Sequence, residues 1–277
     1  METSSEKTTD FQALEEIVGA SGITTWEALS SDQRERIKHA IAPHAEVHRI
    51  VYPNNPTELA AVIQSAYQNR WQILPCGAGS KLNWGGMVGG KDKGERIKDK
   101  SAASPLIVVS TKNLNRVIEH AVGDLTVTVE AGVRFAELQQ QLAQVGQFLA
   151  IDPAYPEQAT IGGIVATADT GSLRQCYNSV RDMLLGVSFV RADGQMAKAG
   201  GRVVKNVAGY DLMKLFTGSY GTLGILTQVT FRVYPMPEAC ADRCAQWGSR
   251  GDRSGSPNLT QLSPHPHSRR SAFSLDR

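Results

Sequence analysis

The sequence predicts an α+β fold, in which short strands alternate with helices and no segment is repeated. Residues 46–52 and 225–234 alternate apolar and polar side chains, which is the period of a half-buried strand. Residues 58–68 repeat apolar side chains at helical spacing, and Asp193-Gly194 between two apolar runs indicates a hairpin turn. The 277 residues, 41% of them hydrophobic, can bury the core of one or two domains.

The first 80 residues are predicted to form helix, strand, helix and strand, ending in a glycine loop at residues 75–80. The helical part at 11–42 has one apolar face, formed by Phe11, Leu14, Ile17 and Val18. Thr57 is the expected N-cap of the helix at 58–68. The side chains expected to face inward from that helix are Leu59, Val62, Ile63 and Tyr67.

The helices and strands after residue 80 are predicted from the same helical and strand periodicities of apolar side chains, and from the turns between them. The expected elements are strands at 107–110, 125–130, 183–191, 195–199 and 225–234, and a helix at 135–145. Together with the first 80 residues they complete the predicted α+β domain.

The charge balance excludes an electrostatic nucleic-acid binder. The net charge is only +2, and residues 1–237 hold 23 basic and 23 acidic side chains. The chain begins with a polar segment, and no run approaches the ~18 apolar residues of a membrane span. We therefore expect a cytoplasmic protein that can attach to a membrane through partners.

The four cysteines predict no metal site. Cys76, Cys176, Cys240 and Cys244 form no CxxC pair, and no cluster has the ligand spacing of a zinc or iron–sulfur centre. Any iron–sulfur centre that works with this chain must therefore belong to another protein.

Residues 238–277 differ in character from the rest of the chain. They contain 6 Arg, 7 Ser and no Lys, and they show no hydrophobic periodicity. Such a segment cannot bury enough apolar surface to order itself. One explanation is a natural disordered tail. The other is translation in a shifted reading frame, because arginine and serine have many codons and are therefore frequent in a shifted frame of GC-rich DNA.

Four glycine motifs carry the functional prediction. In the glycine loop (residues 75–80), Gly77 and Gly79 let backbone N–H groups converge on a diphosphate, although the loop is neither a Walker loop nor GxGxxG. The others are TVEAGV at 128–133, ATIGGIVA at 159–166 and the glycine turn (residues 218–224), with a glycine at every third position. Taken singly, each motif is also explained by a plain turn, a helix start or a buried helix.

In this order, the four motifs resemble those of the PCMH-type FAD-binding domain of the vanillyl-alcohol oxidase superfamily. The resemblance covers residues 47–235 and rests on ILPCGAGSKLNWGG (73–86), LTVTVEAGV (125–133), ATIGGIVATADTGSLR (159–174) and GGRVVKNVAGYDLMKLFTGSYGTLGIL (200–226). Within that superfamily, these segments look most like the E-subunit family of glycolate oxidases. The resemblance implies two α/β subdomains with FAD between them.

The resemblance also implies which residues contact FAD. The first loop would bind the diphosphate through backbone N–H groups, and the later glycines would lie along the ribityl chain and near the adenine. The full expected set is Pro75, Gly77, Ala78, Gly79, Ser80, Gly132, Thr160, Gly162, Gly163, Gly221, Gly224 and Ile225. Members with a histidyl-linked flavin carry that histidine in the first loop. This loop has none, so we expect non-covalent FAD.

Three parts are therefore expected: an N-terminal helical segment at 1–45, the FAD-binding PCMH-type domain at 46–237, and the tail at 238–277. In this family a cap domain follows and supplies most substrate contacts. Because the recognisable pattern stops at FRVYPMPEA, we expect the C-terminal cap to be absent and a frameshift to lie near codons 238–240.

The resemblance implies an FAD-dependent oxidoreductase acting on CH–OH groups, as the FAD subunit of a multi-subunit glycolate oxidase or dehydrogenase. It would oxidise a small 2-hydroxy acid beside a larger flavin subunit and an iron–sulfur subunit. The alternatives are a non-catalytic scaffold subunit and a stand-alone D-2-hydroxy acid oxidoreductase. The catalytic residues are unknown. Arg174, Arg181 and Lys205 are candidate cations for the substrate carboxylate, but a surface or structural role explains each of them better.

Overall fold

A computed structural model describes residues 6–89, 104–201 and 210–237 of the chain. The helices are α1 (Glu6–Val18), α2 (Ser31–Lys38), α3 (Pro56–Gln68), α4 (Phe135–Ala143), α5 (Ile161–Thr167), α6 (Arg174–Tyr177), α7 (Val180–Met183) and α8 (Leu212–Phe216). The strands are β1 (Ile23–Thr24), β2 (Val47–Val51), β3 (Gln72–Cys76), β4 (Leu106–Ser110), β5 (Val117–Ala121), β6 (Thr126–Glu130), β7 (Gln147–Phe148), β8 (Leu184–Val190), β9 (Met196–Gly200), β10 (Ile225–Arg232) and β11 (Tyr234–Pro235).

The first sheet has four strands in the order β1-β2-β4-β3. Strand β4 lies between β2 and β3 and runs parallel to both, while β1 pairs with β2 in antiparallel orientation. All five residues of β4 are buried, as is typical of a central parallel strand covered on both faces. The last residue of β3, Cys76, pairs with Ser110. The glycine loop therefore starts at the carboxyl end of a parallel strand, where open α/β sheets commonly bind ligands.

The second sheet has five antiparallel strands in the order β5-β6-β10-β8-β9. Its central strand is β10, in which Val229 lies opposite both Val129 and Val187. The buried side chains of this sheet pack with residues of α4, α5, α7 and α8 in one hydrophobic cluster. The predicted hairpin around Asp193-Gly194 is confirmed by the antiparallel pairing of β8 with β9.

Helix α3 connects the cores of the two sheets. Its residues Leu59 and Val62 share a buried cluster with Val109 of the first sheet and with Val190 and Ile225 of the second. The two sheets correspond to the two expected α/β subdomains, and the predicted α+β class is confirmed.

The N-terminal prediction was wrong in detail. A helical part at 11–42 was expected, but α1 ends at Val18 and a strand, β1, lies before α2. The break follows from Gly19, whose φ of +73° is incompatible with helix continuation. The predicted apolar face is nevertheless present, since Phe11, Leu14 and Val18 are buried.

Two predictions for α3 are corrected. Its N-cap is Asn55, whose side-chain oxygen accepts a hydrogen bond from the Glu58 N–H at 2.9 Å, and not Thr57. Pro56 takes the first helical position, where its missing N–H costs nothing. Tyr67 was expected to face inward but is 62% exposed; Ala66 is buried instead.

By its internal contacts the chain divides into Met1–Tyr234 and Pro235–Arg277. Of the second unit, only residues 235–237 are described, so the expected tail at 238–277 and its frameshift lie outside the described residues. The predicted segment boundaries at 45/46 and 237/238 stay predictions.

The cap of α3 can be tested with two neighbouring substitutions. Asn55→Ala removes the acceptor for the Glu58 N–H and should lower the free energy of unfolding by about 1 kcal/mol. Thr57→Ala, at an exposed position two residues later, is the matched control and should change it little. Urea titration followed by circular dichroism measures both. A larger loss for Thr57→Ala than for Asn55→Ala would contradict the assignment.

Candidate functional site

The glycine loop presents three consecutive backbone N–H groups that are not paired. Within the described part of the chain, the N–H groups of Ala78, Gly79 and Ser80 donate no hydrogen bond. The loop is nevertheless anchored, because the Gly77 carbonyl accepts a hydrogen bond from the Ser110 hydroxyl at 3.3 Å. Three donors therefore stay available at a fixed position.

The start of α5 forms a second wall beside this loop. Thr160 caps the helix, and its Oγ1 accepts a hydrogen bond from the Gly163 N–H at 3.3 Å. The Gly162 N–H donates to the Ala131 carbonyl at 2.7 Å. A Cβ at position 77 would lie 2.1 Å from Thr160 Oγ1, far inside van der Waals contact. Only glycine at position 77 lets the loop lie this close to α5.

The glycine turn forms a third wall. It is attached to the end of α5, because the Tyr220 N–H donates to the Ala166 carbonyl at 2.9 Å. Gly221 has a φ of +78°, and a Cβ there would lie 2.5 Å from Cγ of Pro75. The close approach that the triplet spacing predicts is therefore present, and the neighbour of Gly221 is the glycine loop itself.

The three walls line a cavity of about 380 Å³, a size typical of small-molecule sites. The structure brings eleven of the twelve predicted residues to this cavity, namely Pro75, Gly77, Ala78, Gly79, Ser80, Thr160, Gly162, Gly163, Gly221, Gly224 and Ile225. These residues lie at the end of β3 of the first sheet and in the loop after it, at the start of α5, and in the turn that leads into β10 of the second sheet, so the fold itself assembles the set.

Gly132, the twelfth predicted residue, lines a second cavity of about 400 Å³. That cavity shares the glycine loop and Thr160 with the first one, and its other walls carry Arg36, Lys112 and Arg134. A Cβ at position 132 would lie 2.0 Å from the carbonyl oxygen of Thr111. Packing between backbone segments is therefore sufficient to require glycine at this position.

The sequence reasoning missed a buried ion pair at the edge of the first cavity. Lys81 Nζ lies 2.6 Å from Asp169 Oδ2, and the two side chains are only 4% and 9% exposed. Lys81 lines the cavity directly after the glycine loop, and its Nζ lies 5.5 Å from the ring centroid of Trp84. Burial lowers the pKa of Lys81, and the hydrogen bond and charge of Asp169 counteract this only in part. No local pattern could have paired two residues 88 positions apart.

A neutral thiol lies between the two cavities. Cys76 lines both of them, and its Sγ donates a hydrogen bond to the Gly77 carbonyl at 3.3 Å. Burial raises the pKa of this thiol to about 12, although Arg36 lowers it slightly. Burial, with a smaller contribution from Cys76, also raises the pKa of Tyr52. Cys76 is therefore neither a nucleophile nor a base near neutral pH.

Two of the three candidate cations predicted from the sequence line neither cavity. Arg174 and Arg181 are exposed and line neither, and Lys205 lies outside the described residues. Among the residues described, no group of three or more His, Cys, Asp or Glu side chains could hold a metal ion. None of the helices within the described ranges is long and apolar enough to cross a membrane.

A comparison with protein families identifies the chain. The model of the FAD binding domain matches residues 47–200, which is more than half of the 277 residues. The chain belongs to the FAD binding domain family. The matched range contains the glycine loop, Gly132 and the start of α5. FAD as the cofactor is therefore confirmed, whereas its non-covalent attachment stays a prediction.

Curated relatives of this FAD binding domain include oxidoreductases of hydroxy acids. Mitochondrial D-lactate dehydrogenase [cytochrome] of Arabidopsis thaliana is 30% identical over 217 residues, covering 76% of this chain and 35% of the relative. Glycolate oxidase subunit GlcD of Bacillus subtilis is 33% identical over 190 residues, covering 68% and 37%. Subunit GlcE of Escherichia coli is 40% identical over 124 residues, covering 44% and 35%. The predicted resemblance is confirmed, and the chain spans little more than a third of the length of these relatives.

Solved structures support the fold alone. Alkyldihydroxyacetonephosphate synthase superposes with a TM-score of 0.65 at 23% identity, covering 84% of this chain and 41% of that one. A variant of Phl p 4, described as a glucose oxidase, superposes with a TM-score of 0.62 at 14% identity, covering 82% and 44%. The expected PCMH-type fold is confirmed by these neighbours.

The contact between Gly77 and Thr160 can be tested with a single methyl group. Gly77→Ala places a Cβ 2.1 Å from Thr160 Oγ1, so the loop must move; we expect about 1–3 kcal/mol of destabilisation and weaker FAD binding. Gly86→Ala is the matched control, because Gly86 lines the same cavity but has no atom within 4 Å of the added methyl. Thermal unfolding and FAD titration measure the two effects. Equal behaviour of the two variants would refute the contact.

The high pKa of Cys76 predicts slow alkylation. At pH 9 the native thiol should react with iodoacetamide roughly a thousandfold more slowly than in the urea-unfolded chain, because a pKa of about 12 suppresses the thiolate. Peptide mass spectrometry reads the rate at Cys76 separately from the other cysteines. A native rate at pH 9 close to the unfolded rate would show that the thiol is ionised and solvated.

Proposed function

We propose that the chain holds FAD non-covalently along the glycine loop, with the diphosphate on the N–H groups of Ala78, Gly79 and Ser80. These three donors have no partner among the described residues, and they adjoin a cavity of suitable size. The three residues are half-exposed beside the cavity, and phosphate oxygens are strong acceptors for such a nest of donors. This set of donors is the observation that carries the proposal.

The other predicted residues take the roles that the family resemblance implies. Thr160, Gly162 and Gly163 contact the ribityl and diphosphate region, and Gly221, Gly224 and Ile225 contact the adenine or ribitol end. All of them line the cavity of about 380 Å³ together with Pro75. Gly132 takes part through the adjoining cavity of about 400 Å³, which shares the glycine loop.

Non-covalent attachment is supported by the side chains of the loop. Residues 75–80 contain no histidine, and their one thiol, that of Cys76, is kept protonated by burial. A protonated thiol does not attack a ring system, because the thiolate is the nucleophilic form. The loop therefore offers backbone donors and neither a histidine nor a thiolate for a covalent link.

The bound FAD accepts the electrons that are removed from a CH–OH group, and the protein supplies binding and orientation. We propose that the substrate is a small 2-hydroxy acid. Relatives named D-lactate dehydrogenase, glycolate oxidase subunit and D-2-hydroxyglutarate dehydrogenase support this class. Cys76 is not suited to act as a base, because burial keeps its thiol protonated, and Lys81 is held by Asp169 in an ion pair.

We further propose that the chain is the FAD subunit of a multi-subunit glycolate oxidase in the cytoplasm, beside a larger flavin subunit and an iron–sulfur subunit. The names of the GlcD and GlcE relatives support membership in such a complex. Purification from the native source should yield a longer FAD-binding chain and a chain with iron–sulfur cysteine spacing. Isolation of this chain alone, with full activity, would favour the stand-alone oxidoreductase instead.

Cofactor and substrate class can be tested on the purified full chain. We expect a yellow protein that releases all its flavin into the supernatant on acid precipitation, because no covalent link holds it. Anaerobic addition of glycolate, D-lactate or D-2-hydroxyglutarate should bleach the flavin absorbance with at least one of them. Flavin that stays in the protein pellet would refute non-covalent binding. A protein that stays colourless after reconstitution with FAD would favour the scaffold alternative.

A further inference from the structure

The buried Lys81–Asp169 ion pair joins two walls of the cavity. Lys81 follows the glycine loop directly, whereas Asp169 lies two residues beyond the end of α5, which carries Gly162 and Gly163 in its first turn. The Asp169 N–H donates to the Ile164 carbonyl at 3.1 Å, so its backbone is attached to that helix. The ion pair is therefore a direct connection between the loop wall and the α5 wall.

The same carboxylate also holds a third segment. Asp169 Oδ2 accepts a hydrogen bond from the Ala154 N–H at 2.8 Å as well as the one from Lys81 Nζ at 2.6 Å. Ala154 belongs to the segment that leads to Thr160, the cap of α5. One oxygen atom thus connects the loop after β3, the segment before α5 and the segment after α5.

Stability alone is a poor explanation for this arrangement. Two charges that are withdrawn from water lose hydration free energy, and a well-packed apolar pair of similar volume is often equally or more stabilising. The ion pair does supply a directional contact of defined length between two segments, which apolar packing does not supply to the same degree.

We propose that the Lys81–Asp169 ion pair is a positioning element that fixes the spacing between the glycine loop and α5 for FAD binding. The proposal rests on the placement of FAD in this cavity. Lys81 affects FAD binding by holding the glycine loop in place, and its positive charge is paired with the carboxylate of Asp169. In the competing role, Lys81 contacts the FAD diphosphate directly. Asp169 supports FAD binding if the ion pair is a positioning element, whereas in the competing role it withholds Lys81 from the diphosphate.

The test uses Lys81→Met, Asp169→Asn and the double variant, each compared with the full wild-type chain. Apoprotein is titrated with FAD by fluorescence quenching, and thermal unfolding of the apoprotein is measured in parallel. We expect each single variant to raise the FAD dissociation constant about tenfold or more, as for residues coupled in one network. In the double variant no unpaired charge is buried, so its melting temperature should recover relative to the single variants. Its FAD affinity should stay low, because the connection is still missing.

Asp182→Asn is the control for a lost carboxylate outside the cavity. Asp182 accepts hydrogen bonds from Ser179 at the start of α7 and does not line the cavity. This variant should lower the melting temperature without changing the FAD dissociation constant.

Three results would overturn the proposal. Wild-type affinity in both single variants, or recovery of affinity together with stability in the double variant, would mean that the ion pair is only structural. Tighter FAD binding by Asp169→Asn would show that Asp169 withholds Lys81 from the diphosphate. A wild-type chain that binds no FAD would contradict the proposed function itself and remove this inference with it.

Discussion

The cavity depends on one steric constraint, the close approach of glycine backbone to side chains of segments that pack with a different sheet. The glycine loop leaves the first sheet after β3, whereas α5 packs with the second sheet and the glycine turn leads directly into its central strand β10. Gly77 lies against Thr160, and Gly221 lies against Pro75, at distances that any side chain would prevent. Helix α3 fixes the two sheets through a shared core. The position of the walls therefore follows from close packing, before any ligand is present.

Steric packing at the glycines brings the glycine loop and α5 together, but it does not prevent them from sliding past one another. Glycine contacts are short and have no directional polar component. The Lys81–Asp169 ion pair and the Ala154 hydrogen bond supply that component at the same edge of the cavity. Their low exposure matters, since an exposed pair would contribute little and would be screened by salt. Close packing and a buried polar connection are thus complementary.

Local signals in the sequence predict most of this architecture. Apolar periodicity located α3, α4 and β10, and three of the four glycine motifs located eleven residues of one cavity. The errors have local causes too. Asn55 and Thr57 are both capable N-caps, and only Pro56 at the first helical position distinguishes them. The Lys81–Asp169 pair could not be predicted, because its two residues are brought together only by the tertiary fold.

The glycines themselves are weaker evidence for FAD than their number suggests. At positions 77, 132 and 221, a side chain would collide with Thr160, Thr111 or Pro75, so packing within the protein is enough to require glycine. Packing does not explain the N–H groups of Ala78, Gly79 and Ser80, which find no acceptor among the described residues. Converging backbone donors beside a cavity favour an anionic acceptor, because such a concavity of N–H groups presents positive partial charges. The glycines build the wall, and the three N–H donors beside it support the proposal that the diphosphate of FAD lies on this loop.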